Sequence, residues 1–269
     1  NEPSGRWVAW VSKFVDYWKA TDPRHVYTGA SVGGSWQWQP HNQYHVKAGA
    51  RGLSWAGSQP ESMSDYRAKI DSVKQPSVSH ETGQWCAFPN FSEIRKYTGV
   101  NKAKNFEIFQ DILNDNHMGS MGHDFMMASG KLQAICYKHE IEKTLRTPDY
   151  AGFQLLALND YSGQGTALVG LLDVFFEEKG YINADEFRRF CSPTVPLARI
   201  PKFVYTNDET FHADIEVSHF GAAPLQGAKT VYSIKDEYGK VYAHGTVGTQ
   251  NIPVGNLCPL GSVDMKLSG

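Results

Sequence analysis

The sequence predicts an α/β fold made of repeated βα units, followed by an all-β domain. Helix and strand patterns alternate through residues 1–192, which favours a barrel of parallel strands. The segment GFQLLALN at 152–159 has the most continuous apolar strand pattern, of the kind that a parallel sheet buries on both faces. After a proline-rich stretch at 191–201, which is typical of a linker, residues 202–269 show the apolar–polar alternation of a β-sandwich.

The first domain is expected to begin with the end of a buried strand at Asn1-Glu2-Pro3, followed by a turn and an amphipathic helix. Apolar residues recur every three or four positions from Trp7 to Trp18, and Pro23 ends the pattern. The same kinds of pattern predict, in addition to the strand at 152–159, strands at 25–30, 43–48 and 75–81 and helices at 60–73, within 101–147 and at 184–190. Strands separated by helices in this way are what successive βα units require.

The second domain is predicted from two β patterns. FHADIEVSHF at 211–220 alternates apolar and polar residues strictly, and 230–247 is typical of a hairpin that turns near Tyr238-Gly239. The domain spans only about 70 residues, fewer than the roughly 100 of an immunoglobulin-type sandwich. We therefore expect a sandwich that is small or truncated.

The composition narrows the classes of partner. The 269 residues include 26 Lys and Arg against 28 Asp and Glu, so no basic excess indicates a nucleic-acid partner. Apolar runs fall far short of the roughly 20 residues that span a bilayer, so no membrane partner is expected. The cysteines are widely spaced without a C-x-x-C motif, which favours isolated thiols over a zinc site or a disulfide framework; they are Cys86, Cys136, Cys191 and Cys258.

Two short patterns resemble metal or nucleotide motifs and are incomplete. His80-Glu81 would open the zinc-protease motif H-E-x-x-H, but Gln84 stands where the second ligand belongs. Gly163-Gln164-Gly165 would open a dinucleotide loop, but Leu168 replaces the third glycine. The sequence therefore predicts neither a metal nor a cofactor.

Glu2 and Glu81 are the candidate catalytic residues because each ends an apparent strand. In a β/α barrel the carboxyl ends of the strands form the active-site face. Their separation of 79 positions, from residue 2 to residue 81, fits three compact βα units of about 31 residues or fewer, with the strands at 25–30 and 43–48 between them. We therefore expect the two carboxylates to face each other across the mouth of an eight-stranded ring.

Two carboxylates about 5 Å apart are what retaining glycoside hydrolysis requires. One attacks the anomeric carbon, while the other protonates the leaving oxygen and then deprotonates the incoming water. The negative charge of the nucleophile raises the pKa of the acid and keeps it protonated until it reacts. The alternative is that Glu2 and Glu81 are surface glutamates that happen to end strands.

Three segments, in this order, resemble family 2 glycoside hydrolases, the β-galactosidase-like enzymes; they are NEP at 1–3, SHETGQW at 79–85 and GFQLLALNDYSGQGTALVGLLDVF at 152–175. The resemblance covers about residues 1–220. The three segments are specific to the family only when taken together, since NEP alone is a weak signal. It implies strands 4 to 8 of a partial (β/α)8 TIM barrel, followed by an immunoglobulin-like β-sandwich. The family pattern places the acid/base at Glu2 on strand four and the nucleophile at Glu81 on strand seven.

The resemblance and the residue types also indicate sugar contacts. Strand eight of the family corresponds to 152–160, which puts Asn159 and Asp160 at the pocket rim. Asn1 is expected to donate its amide to the sugar 2-hydroxyl, a contact that strengthens in the transition state. His45 is a candidate partner of the sugar or the nucleophile, or else a satisfied core histidine. Trp85 is a candidate stacking platform, or else a core residue.

The function predicted from these features is that of a retaining exo-β-glycosidase acting on terminal β-galactosides or related β-glycosides. Two alternatives remain open: a family 5-like endo-β-glycanase, which also carries NEP, and a non-catalytic carbohydrate-binding protein. The trailing sandwich and LNDYSGQG at 158–165 argue against the endoglycanase.

The alignment with the family also predicts what the chain lacks. Because Glu2 would end strand four, we expect three βα units and the family's N-terminal sandwich to precede Asn1 in the same polypeptide. An incomplete barrel exposes two unpaired sheet edges, so the 269-residue chain by itself is expected to be inactive. The partners implied are a carbohydrate substrate and these N-terminal domains, and the resemblance favours an exported, periplasmic protein.

Overall fold

The computed structural model describes residues 7–29, 39–47, 49–71, 74–161 and 168–267. Within these ranges the α-helices are α1 (Trp7–Thr21), α2 (Arg67–Ile70), α3 (Lys104–Asp115), α4 (Gly122–Leu145) and α5 (Ala184–Arg188), and short 3-10 helices lie at Phe91–Lys96 and Gly119–Met121. The strands are β1 (His45–Lys47), β2 (Ser77–Gly83), β3 (Tyr150–Leu156), β4 (Thr194–Arg199), β5 (Thr210–His219), β6 (Leu225–Lys235), β7 (Val241–Ile252) and β8 (Gly255–Lys266). None of the helices in this part of the chain is long and apolar enough to cross a membrane.

The first sheet has three parallel strands in the order β1-β2-β3. His45 pairs with Ser77, and Ser77 in turn pairs with Tyr150. Parallel neighbours need a crossover connection, which α3 and α4 provide between β2 and β3. The carboxyl ends of the three strands consequently lie at one edge of the sheet, and this edge carries Glu81.

A cluster of apolar side chains packs α4 against this sheet. Its centre is the fully buried Tyr137, whose hydroxyl donates to the carbonyl of Val169 at 2.7 Å. Gly83, at the end of β2, has φ +105°, and a Cβ there would lie 2.3 Å from the Tyr137 ring. This close approach of the Tyr137 ring to the Gly83 backbone sets the distance between β2 and α4.

Three predicted elements of the first domain differ in the structure. Residues 26–29 form no strand, and the helix predicted at 60–73 is reduced to α2. The first part of that segment is held away from helical geometry because the amide of Ser62 donates to the carbonyl of Ile200 at 2.9 Å. Along α1 only Val15 is buried, so most of its apolar face is exposed, including Trp10 and Phe14.

The proline-rich stretch at 191–201 is a strand over part of its length. β4 pairs antiparallel with β5, and Pro196 lies within β4. The order β4-β5-β8 makes β4 an edge strand, where a missing N–H is tolerated because no ladder bond is lost on the open side. The predicted linker is therefore part of the second sheet.

The all-β segment contains two antiparallel sheets, β4-β5-β8 and β6-β7. Val217, Ile252 and Leu260 form a buried cluster that the two sheets share. The predicted hairpin is present as β6 and β7, and Asp236 closes its turn by accepting the amides of Tyr238 and Lys240. Strict alternation predicted these strands because one face of each packs on this cluster and the other faces solvent.

Side chains join the two parts of the molecule. The amide of Asn256 in β8 donates to the carbonyls of Leu145 and Thr147 at 3.2 and 2.8 Å. Arg199 in β4 donates to the carbonyl of Met63 at 2.7 Å. Contacts of this kind fix the position of the β-rich segment against the parallel sheet.

Candidate active site

Glu81 lies near the carboxyl end of β2, the central strand of the parallel sheet. Pairing with β3 jumps from Ser79–Phe153 to Thr82–Leu155, so His80 and Glu81 together face one residue of β3. This is a β-bulge, a feature that often occurs beside active sites. Glu81 has φ +53°, a backbone conformation that costs a non-glycine residue on the order of 1–3 kcal/mol and is concentrated at functional sites.

Arg51 holds the Glu81 carboxylate from the side. Its Nη1 donates to Glu81 Oε2 at 2.6 Å, and the same nitrogen lies 3.1 and 3.2 Å from the backbone carbonyl oxygens of His80 and Glu81. Glu81 Oε1 lies 3.6 Å from His80 Nε2, beyond hydrogen-bond distance. The Glu81 side chain is 26% exposed, so one carboxylate oxygen is anchored while the group stays accessible.

The backbone around Arg51 is fixed from three elements. Ser79 and Tyr150 donate their hydroxyls to the carbonyl of Ala50, and Tyr66 donates to the carbonyl of Gly52 at 2.8 Å. Burial raises the pKa of the Tyr66 and Tyr150 phenols, which keeps both protonated as donors. These contacts place the guanidinium next to the bulge.

Glu140, near the carboxyl end of α4, is a buried carboxylate next to the Arg51 segment. It accepts the amide of Gly52 at 2.7 Å and the indole N–H of Trp85 at 2.8 Å. Burial raises the pKa of the Glu140 carboxyl, and the two hydrogen bonds oppose that shift. Glu140 therefore links the Arg51 segment to the segment that follows Glu81.

Trp85 and His45 are both held within the protein. The Trp85 ring packs against the cluster around Tyr137 and is directed by its bond to Glu140. His45 is fully buried on β1, and burial, with a smaller contribution from Lys47, lowers its pKa to about 4. The alternative of core packing, considered for both residues from the sequence, agrees with these positions.

Asn159 and Asp160 follow β3 and differ in their surroundings. Asn159 forms an isolated bridge with Leu172 and is partly exposed. Asp160 is buried, where its Oδ2 lies 2.5 Å from Lys179 Nζ and its Oδ1 accepts the amide of Gly170 at 2.8 Å. The position at the pocket rim expected for Asp160 is thus not what the structure shows, because a buried ion pair draws this carboxylate inward.

Asn1 and Glu2 lie outside the described residues. Glu81 is therefore the one predicted catalytic residue whose surroundings can be described. Arg51 and Glu140 were not predicted from the sequence, although the contact of both with the Glu81 region is the main feature of the site. No local sequence pattern marks Glu140, because apolar residues are spread around all sides of α4.

A second buried acid lies away from Glu81. Glu93, in the 3-10 helix, is fully buried, and burial together with the nearby Asp173 raises its pKa to about 7. Lys96 pairs with Asp173 at 2.5 Å and with Glu177 at 2.8 Å. Within the described residues, no group of three His, Cys, Asp or Glu side chains could hold a metal ion, and the four cysteines are present as thiols.

Comparison with known families identifies one match, which is confined to the all-β segment. The family model described as "Domain of unknown function (DUF8488)" matches residues 209–269, the part that contains β5 to β8. No curated protein matches the chain. The resemblance of β2 and β3 to family 2 glycoside hydrolases therefore rests on the residues of this sequence alone.

Proposed function

We propose that this chain carries the nucleophile of a retaining exo-β-glycosidase, with Glu81 as nucleophile and Glu2 as acid/base. The observation that carries the proposal is the placement of Glu81 on a strained bulge at the carboxyl end of the central parallel strand, with Arg51 holding one carboxylate oxygen. In this view β1, β2 and β3 are strands six to eight of a (β/α)8 barrel whose substrate is a terminal β-galactoside.

The arrangement supports a double-displacement reaction. Glu81 Oε1 attacks the anomeric carbon, and the bond to the leaving oxygen breaks as Glu2 donates its proton to that oxygen. The resulting glycosyl ester on Glu81 is hydrolysed by a water that Glu2 deprotonates, and the sugar leaves with its original anomeric configuration. Arg51 holds Oε2 throughout, so rotation of the carboxylate away from the sugar is restricted.

Covalent labelling tests the role of Glu81 separately from that of Glu2. The probe is 2,4-dinitrophenyl 2-deoxy-2-fluoro-β-D-galactoside, applied to the natural polypeptide that carries this sequence. Its leaving group departs without protonation, so the label needs a nucleophile but not the acid. We expect a fluorogalactosyl group on the peptide that contains Glu81, detected by mass spectrometry after proteolysis.

Two variants give the controls for this experiment. Glu81→Gln should abolish labelling, whereas Glu237→Gln, in the exposed hairpin turn, should leave it unchanged. A label on another carboxylate, or a product of inverted configuration from an unmodified substrate, would overturn the assignment. A protein that binds galactosides without any labelling or turnover would fit the carbohydrate-binding alternative instead.

A further inference from the structure

A cleft lies at the opposite end of the parallel sheet from Glu81. It has a volume of about 600 Å³, within the roughly 300–1,000 Å³ typical of small-molecule sites. One wall contains Lys74, Gln75 and Asp149 next to the amino ends of β2 and β3, and the other contains Phe220 and Asn256 from the β-rich segment. The cleft is therefore formed where the two parts of the molecule meet.

Phe220 presents an open aromatic face to this cleft. The residue is 56% exposed although its backbone amide is fixed by donation to the carbonyl of Pro193 at 2.7 Å. Within the part of the chain that the structure describes, the Phe220 ring is stacked on no other ring and carries no cation. An exposed aromatic ring on a fixed backbone is a surface on which a flat apolar group can stack at small cost in conformational entropy.

The polar side chains opposite Phe220 have free hydrogen-bonding capacity. Lys74 and Asp149 form no ion pair with any described residue, although both are exposed beside the same cleft. The side-chain oxygen of Gln75 is buried without a hydrogen-bond partner among those residues. Asp149 is held in position because its carbonyl accepts the amide of Ser77 at 3.3 Å.

The mixture of these groups selects a ligand class. A charged ligand would meet one like charge, because the ammonium of Lys74 and the carboxylate of Asp149 are both present. A neutral sugar presents hydroxyls that can donate to Asp149 and accept from Lys74, together with an apolar face of C–H groups that can stack on Phe220. We propose that this cleft is a binding site for a neutral saccharide, separate from the site at Glu81.

The two sites are too far apart to hold the same sugar ring. Ser77 opens β2 at the cleft end and Glu81 follows four residues later, a separation of roughly 13 Å at about 3.3 Å per residue. The sheet itself lies between them. A saccharide in the cleft would therefore tether a chain to the protein and raise the local concentration of its ends, without taking part in the reaction.

Calorimetric titration with lactose, cellobiose and xylobiose tests this inference. The protein is the natural polypeptide bearing Glu81→Gln, so that none of the probes is consumed. We expect at least one disaccharide to bind, and Phe220→Ala to weaken that binding about tenfold, the effect of losing one stacked aromatic face. Asp149→Asn, which suits the left-handed backbone at φ +58°, should weaken the same binding by removing the acceptor charge.

Tyr238→Ala is the matched control, since Tyr238 is an exposed aromatic residue on the distant β6–β7 turn. It should leave the affinity unchanged, and unaltered thermal midpoints would show that all variants are folded. If no disaccharide binds up to its solubility limit, or if binding is the same in Phe220→Ala as in the unchanged protein, the inference is wrong. Labelling at Glu81 can succeed or fail independently of this result.

Discussion

Arg51 restrains the carboxylate that we propose as nucleophile, and it does so through one nitrogen that contacts Glu81 Oε2 and two backbone carbonyls. The guanidinium thus fixes both the bulge and the side chain that projects from it. A lysine would supply the charge but not the planar group that reaches these acceptors from a restrained backbone. The consequence of losing Arg51 should therefore be displacement of the nucleophile rather than loss of the fold.

We predict that Arg51→Lys slows covalent labelling by the fluorogalactoside about a hundredfold, because a displacement of about 1 Å can cost that much in rate. The rate is measured by intact-mass spectrometry at saturating probe. Arg67→Lys is the matched control, since the Arg67 side chain is exposed and pairs with the nearby Asp65. Equal labelling rates in Arg51→Lys and the unchanged protein would show that the restraint has no role in the reaction.

Glu93 makes the stability of the fold depend on pH. Its pKa is about 7 in the folded protein against 4.5 for an exposed glutamate, because burial and Asp173 outweigh Lys179 and Lys96. The folded state therefore binds more protons than the unfolded state between these values, and the free energy of unfolding falls as the pH rises from 4.5 to 7. The contribution present below pH 4.5 is lost above pH 7.

We predict that Glu93→Gln raises the free energy of unfolding at pH 8 by up to about 3 kcal/mol, because the amide resembles the protonated acid and carries no charge. At pH 5 the variant and the unchanged protein should differ much less. Urea unfolding at both pH values measures the difference. An equal effect of the substitution at pH 5 and pH 8 would show that Glu93 does not titrate in this range.

At the scale of elements, the contact between β2 and α4 determines where Glu81 is presented. The strand can approach the helix closely because Gly83 lacks a Cβ at a backbone conformation of φ +105°. The Tyr137 ring fills the space that a side chain would need, and its hydroxyl is tied to the carbonyl of Val169. The ring consequently cannot move aside without breaking a buried hydrogen bond.

We predict that Gly83→Ala lowers the free energy of unfolding by at least about 3 kcal/mol, through steric overlap and an unfavourable left-handed conformation. Gly99→Ala is the matched control because a Cβ added at Gly99 would meet nothing within 4 Å and its φ is not in the left-handed range. Urea unfolding measures both. A Gly83→Ala protein as stable as the Gly99→Ala protein would mean that the sheet and α4 separate easily.

At the scale of the whole molecule, the β-rich segment is bound to the parallel sheet through a few specific polar contacts. Asn256 is the clearest of these, since its one amide nitrogen satisfies two carbonyls at the end of α4 and the loop that follows. Within the described part of the chain no other group donates to these carbonyls, and an unpaired buried acceptor costs about 1–3 kcal/mol. The same junction forms one wall of the proposed saccharide cleft.

We predict that Asn256→Ala lowers the free energy of unfolding by about 1–3 kcal/mol and separates the unfolding of the two parts into distinguishable transitions. Scanning calorimetry detects the separation as a second heat-absorption peak. Asn251→Ala in β7 is the control, because the Asn251 side chain accepts the amide of Gly227 within the hairpin and so lies away from the junction. A single unshifted transition in Asn256→Ala would show that other contacts dominate the junction.

The sequence determined the features that depend on local periodicity. The alternation around 211–220 and 230–247 predicted β5, β6 and β7, and the helical pattern in 101–147 predicted α3 and α4, because the spacing of apolar residues must match the face that each element buries. The strand that ends near Glu81 was predicted for the same reason. The barrel, the glycosidase activity and the pairing of Glu81 with Glu2 remain predictions.

Only the tertiary structure decided which side chains meet. Arg51 contacts Glu81 across 30 positions of sequence, and Glu140 contacts Gly52 across 88, and neither pair follows from any local pattern. The burial of Asp160 against Lys179 likewise could not be predicted from the sequence. A carboxylate that follows a strand can face either a pocket or the protein interior with the same local sequence. The choice depends on where a compensating charge lies after folding, since a buried carboxylate is tolerated only when paired.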